Sequence, residues 1–365
     1  MRNEKILFLS LHSFSLTGGI EKVCRCVSKI LSNLNGSSSS NHQVLSLYDD
    51  EPDMNYIGSD HFKGFKGNKL AFLYTVIKSG LSANILILSH INLLLFALIL
   101  NKLQPKKRII LLAHGIEIWA KLPKRKTSFL KKNTELWAVS NYTAQKIHHL
   151  FPAKIKTLNN GLDPFFSIPS NFGKPESLLQ RYQLSSEAKI LFTLTRLSSQ
   201  EQYKGYDQVI FALKNLPEEV VYILAGKADQ QENERVLSLI ATHNLKHRVV
   251  MTGFLREDEV QNHLLLADLY VMPSKGEGFG IAFIEAAACG LASIAGNADG
   301  SSDALLNGEL GDFVEPNNVV ELANAIMKRL AVPKSSADAF KLQKQCLAAF
   351  SFQQYQVNFL NLLFS

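Results

Sequence analysis

The sequence predicts an α/β protein, and three observations carry the prediction. Short apolar runs bounded by polar residues recur along the chain and alternate with segments of helical periodicity. Several of these runs end in a glycine-bearing loop that opens a helix, at 17–20 and again at 273–280. The length, 365 residues, suffices for two such domains.

In the first half, the run Lys5-Ile6-Leu7-Phe8-Leu9-Ser10 reads as the opening strand. Gly18 and Gly19 lie in the loop after it, and a helix follows over 21–34. Paired glycines between a strand and a helix offer backbone amides to a phosphate, and a plain tight turn uses them equally. Residues 36–41, Gly-Ser-Ser-Ser-Ser-Asn, read as a flexible surface loop. A second strand covers 44–48, and 49–67 is polar and hard to place. Lys63, Lys66, Lys69 and Lys78 punctuate Phe62, Phe65, Phe72 and Tyr74, a pattern open to two readings: a solvated face, or a segment lying on a membrane surface. The most apolar stretch, 84–100, holds Ser89, His90 and Asn92 in mid-run and is short for a membrane span. A strand at 85–88, a polar turn and a buried helix at 93–102 account for it better. The strand at 108–113 ends on His114-Gly115, and a His at the carboxyl end of a parallel strand points into the crevice where such folds bind ligands. Further strands are expected at 135–141 and 155–158.

In the second half, strands are expected at 190–195, 220–224 and 249–252, with helices at 207–216, 319–330 and 350–364. The stretch that organises this half is Pro273-Ser-Lys-Gly-Glu-Gly-Phe-Gly-Ile-Ala-Phe-Ile-Glu285. A short buried strand over 267–272 precedes it. An Ala-rich helix over 281–289 follows, closed by Gly290 as its C-terminal cap. Gly276, Gly278 and Gly280 leave the backbone free to approach a ligand, and the amides from 278 to 281 would lie at a helix N-terminus that favours phosphate. A tight turn alone accounts for such glycines too.

Composition excludes several classes. A hydrophobic share of 46% against 19% charged residues describes a globular protein, not a disordered one. Cys24, Cys26, Cys289 and Cys346 show neither metal spacing nor a disulfide framework, so buried free thiols in a reducing compartment are expected. No signal peptide precedes Ile6. Residues 1–165 carry 22 Lys and Arg against 10 Asp and Glu, while residues 166–365 carry 17 against 22. The dense cluster at 121–126 and 131–132 suits a solvated face, a phosphate-bearing acceptor or anionic lipid. Nucleic acid is not expected, because no binding motif interleaves aromatics with these charges.

Glu277 and Glu285, with seven residues between them inside Glu-Gly-Phe-Gly-Ile, resemble the E-x7-E signature of retaining glycosyltransferases of the GT-B fold, family GT4. The resemblance covers essentially the whole chain and is strongest over 195–290. It implies an α/β fold of the GT-B kind, two Rossmann-like domains with parallel sheets facing across a cleft. Residues 1–165 would form the acceptor-side domain and 166–345 the nucleotide-sugar domain, with 346–365 a last helix crossing back to the first. It implies that Glu277 holds donor-sugar hydroxyls, Glu285 the ribose, and Gly278, Phe279, Gly280 and Ile281 the phosphates. Arg196 and Lys204 match the cations that hold the pyrophosphate and neutralise the leaving group, which makes a metal unnecessary. Gly253 matches a backbone contact to the base, Gly18 and Gly19 match donor contacts, and His114 matches a residue beside the sugar. The catalytic set so implied is Glu277, His114, Arg196 and Lys204.

The expected reaction moves a sugar from a UDP- or GDP-sugar to a glycan or lipid-linked acceptor, without cofactor or metal. The expected setting is bacterial envelope polysaccharide synthesis (lipopolysaccharide, O-antigen or capsule), cytoplasmic or peripheral on the inner face of the membrane. An anionic membrane surface is an expected partner of the basic first half. A different GT-B enzyme, such as a nucleotide-sugar epimerase or phosphorylase, and a catalytically silent carbohydrate-binding subunit are the alternatives. The sequence departs from the family pattern in two places. Eight positions separate Arg196 from Lys204, so that loop is longer than usual. Residues 299–303, Asp-Gly-Ser-Ser-Asp, stand where G-G-x-x-E is usual, with Asp303 in place of the common Glu.

Overall fold

The computed structural model describes residues 4–34 and 42–365, so the loop expected at 36–41 lies outside the described residues. The chain divides into two compact units, residues 1–165 with 351–365, and residues 166–350.

The sheet of the first unit contains β1 (Ile6–Ser10), β2 (His42–Ser46), β3 (Phe62–Gly64), β4 (Ile85–Leu88), β5 (Arg108–Ala113), β6 (Glu135–Ala138) and β7 (Lys154–Thr157). Their order is β3-β2-β1-β4-β5-β6-β7, with every pairing parallel. The sheet of the second unit contains β8 (Lys189–Leu194), β9 (Val220–Ala225), β10 (Val249–Gly253), β11 (Leu269–Met272), β12 (Ser293–Gly296) and β13 (Gly311–Val314). Their order is β10-β9-β8-β11-β12-β13, again all parallel. Parallel strands covered on both faces are buried along their length and read as near-continuous apolar runs. The central strands obey this: every residue of β1, β4, β9, β11 and β12 is buried.

Each sheet has one point where the strand order reverses, between β1 and β4 and between β8 and β11. Loops leaving the carboxyl ends of two such strands diverge and open a crevice between them. The loop with Gly18 and Gly19 follows β1, and His114 ends β5 beside β4. Arg196 and Lys204 follow β8, and Glu277 follows β11.

The apolar stretch 84–100 folds as expected, into β4 and the helix Leu94–Leu103. No helix among the described residues is long and apolar enough to cross a membrane. The segment hard to place, 49–67, supplies the edge strand β3, and the lysine-punctuated residues after it form the helix Lys69–Ser82. The strand expected over 135–141 stops at Ala138, because Ser140 is an N-cap whose Oγ accepts from the Thr143 amide at 3.0 Å. All four cysteines are buried and free, and burial pushes the Cys24 thiol up to about 12.

The tail carries the helix expected over 350–364, as Phe352–Leu363, and before it a separate helix that the sequence reading did not include. A helix Ser336–Phe350 stays with the second unit: the Cys346 thiol donates to the Ile284 carbonyl at 3.2 Å, and Phe350 meets Phe279 edge-on at 5.6 Å. Ser351 then caps a new helix, Phe352–Leu363, which packs on the first unit through Phe359 against Trp137 at 5.3 Å. Arg108, at the start of β5, secures this helix. Its guanidinium grips both oxygens of Glu135 at 2.8 and 2.9 Å and also donates to the carbonyls of Leu362 and Leu363, the helix's unsatisfied end.

The Arg108 hydrogen bond holds the Glu135 carboxyl below its ordinary range. A depressed carboxyl pKa contributes stability above the unfolded value, about 4.3, which is lost as pH falls through the folded value. Arg108→Met is therefore expected to cost about 1–3 kcal/mol at pH 7. In chemical denaturation the gap from wild type should narrow towards pH 3; a gap constant with pH would remove Glu135 from the account.

Candidate functional site

The second unit gathers its sequence-predicted residues around the reversal point between β8 and β11. Lys204 closes the loop after β8 and Glu277 lies in the loop after β11; the Lys204 ammonium donates to Glu277 Oε1 at 2.5 Å. Both side chains are largely enclosed, 14% and 13% exposed, in a setting that magnifies charge–charge energies. Burial works to lower the Lys204 pKa, but the Glu277 carboxylate outweighs it and the net shift is upward. Arg196, at the tip of β8, is 72% exposed and pairs with Glu201 of its own loop.

Glycine is required here by the protein's own packing. Gly205, at φ +76, brings the helix Tyr206–Ala212 against the 273–280 loop so closely that a Cβ would lie 2.6 Å from the Pro273 carbonyl oxygen. A Cβ on Gly276 would lie 2.8 Å from the Tyr203 ring. The loop then passes through Gly280, at φ +92, into the helix Ile281–Ala288, which ends at Gly290 with φ +65 as the sequence suggests.

Within that helix's approach, Phe279 is buried with its ring on Phe350, so main-chain atoms are what it can offer a ligand. Ile281 is buried too, and its amide belongs to the unsatisfied first turn. Glu285 is buried one turn further along. Gly253, at φ +71, ends β10 with open space around its α-carbon, and its carbonyl accepts from the Gly226 amide at 2.8 Å.

The long loop after β8 is held by acids that sequence reading passed over. Asp229 caps the helix Gln230–Thr242 and accepts from the Ser199 amide at 2.8 Å. Glu232, fully buried, accepts from Tyr206 at 2.5 Å, Gln202 at 2.9 Å and Arg235 at 2.6 Å. The spacing Asp229-x-x-Glu232 is the helix-start signal that points to this helix in the sequence.

Asp299, also missed, does the same for the 273–280 loop. Its Oδ2 accepts from the Ser274 hydroxyl at 2.6 Å and the Glu277 amide at 2.8 Å, and its Oδ1 from the Ser301 amide at 3.0 Å. Burial pushes the Asp299 carboxyl upward, opposed by these donors. Gly300 donates to the Glu277 carbonyl at 2.9 Å. Residues 299–300 thus set the position of Glu277 where the sequence departs from the family pattern.

The first unit brings its own candidates to the carboxyl edge of its sheet. His114 donates through Nε2 to the Ser89 carbonyl at 2.8 Å, which seats the imidazole over the end of β4. Its amide and that of Gly115 donate to Glu117 Oε1 at 2.6 and 3.1 Å. Gly18 is the N-cap of the helix Gly19–Asn33 in an extended conformation, and a Cβ there would lie 2.4 Å from Glu21 Oε2. A carboxylate thus already stands near the amides that a phosphate would use. Asp49 pins the preceding loop through the amides of Ser13 and Ser15 at 2.7 and 2.8 Å. Among the described residues, no group of three or more His, Cys, Asp or Glu side chains is placed to hold a metal.

Residues 176–345 match the family described as glycosyl transferases group 1. A GDP-mannose-dependent alpha-(1-6)-phosphatidylinositol monomannoside mannosyltransferase of Mycolicibacterium smegmatis is 27% identical over 248 residues, 63% of each chain. The match thus spans about three fifths of that relative's length. The serotype-specific mannosyltransferase WbdA of Escherichia coli is 29% identical over 210 residues, 53% of this chain and 24% of WbdA. Among solved structures, Anabaena HepE in complex with UDP-glucose superposes with a TM-score of 0.80 at 20% identity, covering 98% of this chain and 99% of that one. Its likeness, at that identity, concerns the fold, two parallel-stranded α/β units of the GT-B kind. The second unit thus carries the match to the glycosyl transferases, group 1, and the fold is of the GT-B kind.

Proposed function

We propose that the chain is a retaining glycosyltransferase that moves a sugar from a UDP- or GDP-sugar to a hydroxyl of a glycan or lipid-linked acceptor in envelope polysaccharide synthesis. The observation that carries this reading is the enclosed Lys204–Glu277 pair at the β8/β11 reversal point, beside the start of the helix Ile281–Ala288. A cation, a carboxylate and the first-turn amides of a helix meet where a diphosphate and a sugar need them. The relatives named above as mannosyltransferases support the activity class, and the complex of HepE with UDP-glucose supports a nucleotide-sugar donor.

In this reading Lys204 and Arg196 hold the donor pyrophosphate. As the bond from the anomeric carbon to the phosphate oxygen breaks, they stabilise the charge left on the phosphate. The acceptor hydroxyl attacks from the face that the phosphate leaves, and the departing phosphate oxygen takes its proton, so configuration is retained. Glu277 binds sugar hydroxyls and Glu285 the ribose, while the amides from Gly278 to Ile281 face the phosphates and the backbone of Gly253 the base. No step needs a metal, and the enzyme works in the cytoplasm.

With a UDP- or GDP-sugar, a lipid-linked or oligosaccharide acceptor and EDTA, the product linkage should show the donor's anomeric configuration by NMR. An inverted linkage, or an isomerised sugar without transfer, would overturn the reading. Glu285→Gln is expected to weaken donor binding about tenfold or more, since a site built to pair a hydroxyl loses that bond; unchanged affinity by calorimetry would sink the ribose role. Asp299→Asn replaces an acceptor with a donor facing either Ser301 or the Ser274–Glu277 pair. It should cost about 1–3 kcal/mol of stability and weaken donor binding although Asp299 itself touches no donor. A variant with wild-type melting and wild-type affinity would show that the anchor is dispensable.

A further inference from the structure

We propose that the amino-terminal edge of the first unit's sheet holds a second ligand site, for a small organic anion with an apolar body. A cavity of about 990 Å³ lies there. Its wall comes from the turn 104–108, from residues 83–85 and from the tail at 363–365, all of the first unit. Ile85 opens β4 and Arg108 opens β5, so the cavity is at the edge opposite the one where Gly18, Gly19 and His114 stand. Its volume is that of a pocket for a small molecule, usually about 300–1,000 Å³.

Lys106 and Lys107 supply the charge. Lys107 is only 8% exposed, and its ammonium donates to the Ala83 carbonyl. Among the described residues neither lysine forms an ion pair. Burial pulls the Lys107 ammonium below its ordinary range, with no carboxylate to oppose the shift. Glu4 lines the same cavity without pairing with either lysine, and both oxygens of Glu135 are taken by Arg108. Arg248 shows how this fold serves a buried cation elsewhere: its guanidinium donates to the carbonyls of Leu213, Leu216, Pro217 and Val220. An enclosed ammonium held by one carbonyl is costly by comparison, and an anion entering the cavity would relieve that cost.

The rest of the wall is apolar. Ala83, Ile85 and Leu363 are buried along it, while Phe364 is 47% exposed and Pro105 is exposed. Arg108 fixes this wall in advance, because the guanidinium that grips Glu135 also donates to the carbonyls of Leu362 and Leu363 and so holds the tail on the sheet. An inorganic anion would leave these apolar side chains uncovered, and a neutral apolar molecule would leave Lys107 without a counter-charge. A molecule that joins the two, an anionic group on Lys106 and Lys107 and an apolar body against Ile85, Leu363 and Phe364, satisfies both.

The test is titration calorimetry of the full chain with naphthyl phosphate, and with inorganic phosphate and naphthol as its two halves. Naphthyl phosphate should bind saturably with a Kd below about 1 mM, and each half at least about tenfold more weakly. Lys107→Met should weaken binding about tenfold or more without lowering the melting temperature, since it removes an enclosed cation that has no carboxylate. Lys106→Ala and Phe364→Ala, both at exposed positions, should each weaken it about threefold. Lys204→Met should bind the probe as wild type does, so that this site fails or stands apart from the transfer reading. No saturable binding, wild-type affinity in both lysine variants, or binding lost in Lys204→Met would overturn the proposal.

Discussion

The candidate site depends on one ion pair, Lys204 with Glu277, formed between loops that leave the two strands where the second sheet reverses its order. Neither charge would be tolerated there alone, since each is enclosed and an unpaired enclosed charge is costly. Their pairing lets the structure keep a cation and a carboxylate together at the strand ends without a ligand. A diphosphate entering beside Lys204 and a sugar hydroxyl meeting Glu277 would exchange one set of charge-assisted contacts for another. On the reading proposed above, the pair is a preorganised site.

The same device positions the loops in both units. A buried aspartate standing on a different loop accepts backbone amides from the loop that follows a strand at the reversal point. Asp49 does this for residues 13–15 and Asp299 for residues 274–277. Side-chain acceptors substitute for the ladder bonds that such loops lack, so irregular backbone is held firmly without water. Close backbone approaches complete the arrangement: Gly205 on Pro273, Gly276 on Tyr203 and Gly300 on Glu277 leave no room for a side chain. These glycines are fixed first by the protein's packing, and the exposure of loop amides follows from it.

Much of the architecture was legible because parallel strands covered on both faces are written as unbroken apolar runs. β1, β4, β5, β8, β9, β10 and β11 fall on the runs that announce them, and Gly290 closes the helix where an αL residue was expected. The strand tips made Arg196, Lys204 and His114 visible as residues at the edge where α/β sheets bind ligands. What the sequence hides is pairing over distance. Lys204 and Glu277 are 73 positions apart, and nothing local says that they touch. Asp299 looked like a departure from a family motif, whereas its three accepted bonds make it an anchor. Other gaps were readable: Ser351 followed by Gln354 is a helix-start signal that separates the last helix from Ser336–Phe350, and Asp229 with Glu232 announces another. The edge strand β3 is only three residues long and carries no periodicity to detect.

The central claim is that the Lys204–Glu277 pair marks a nucleotide-diphosphate site. Titration calorimetry of the full chain with UDP and with GDP, in EDTA, tests it most directly, on wild type and on Lys204→Met. The account predicts saturable binding of one of the two by wild type, and at least about tenfold weaker binding by the variant, whose fold is checked by circular dichroism. Binding of neither nucleotide by folded wild type, or equal affinity in the variant, would contradict it.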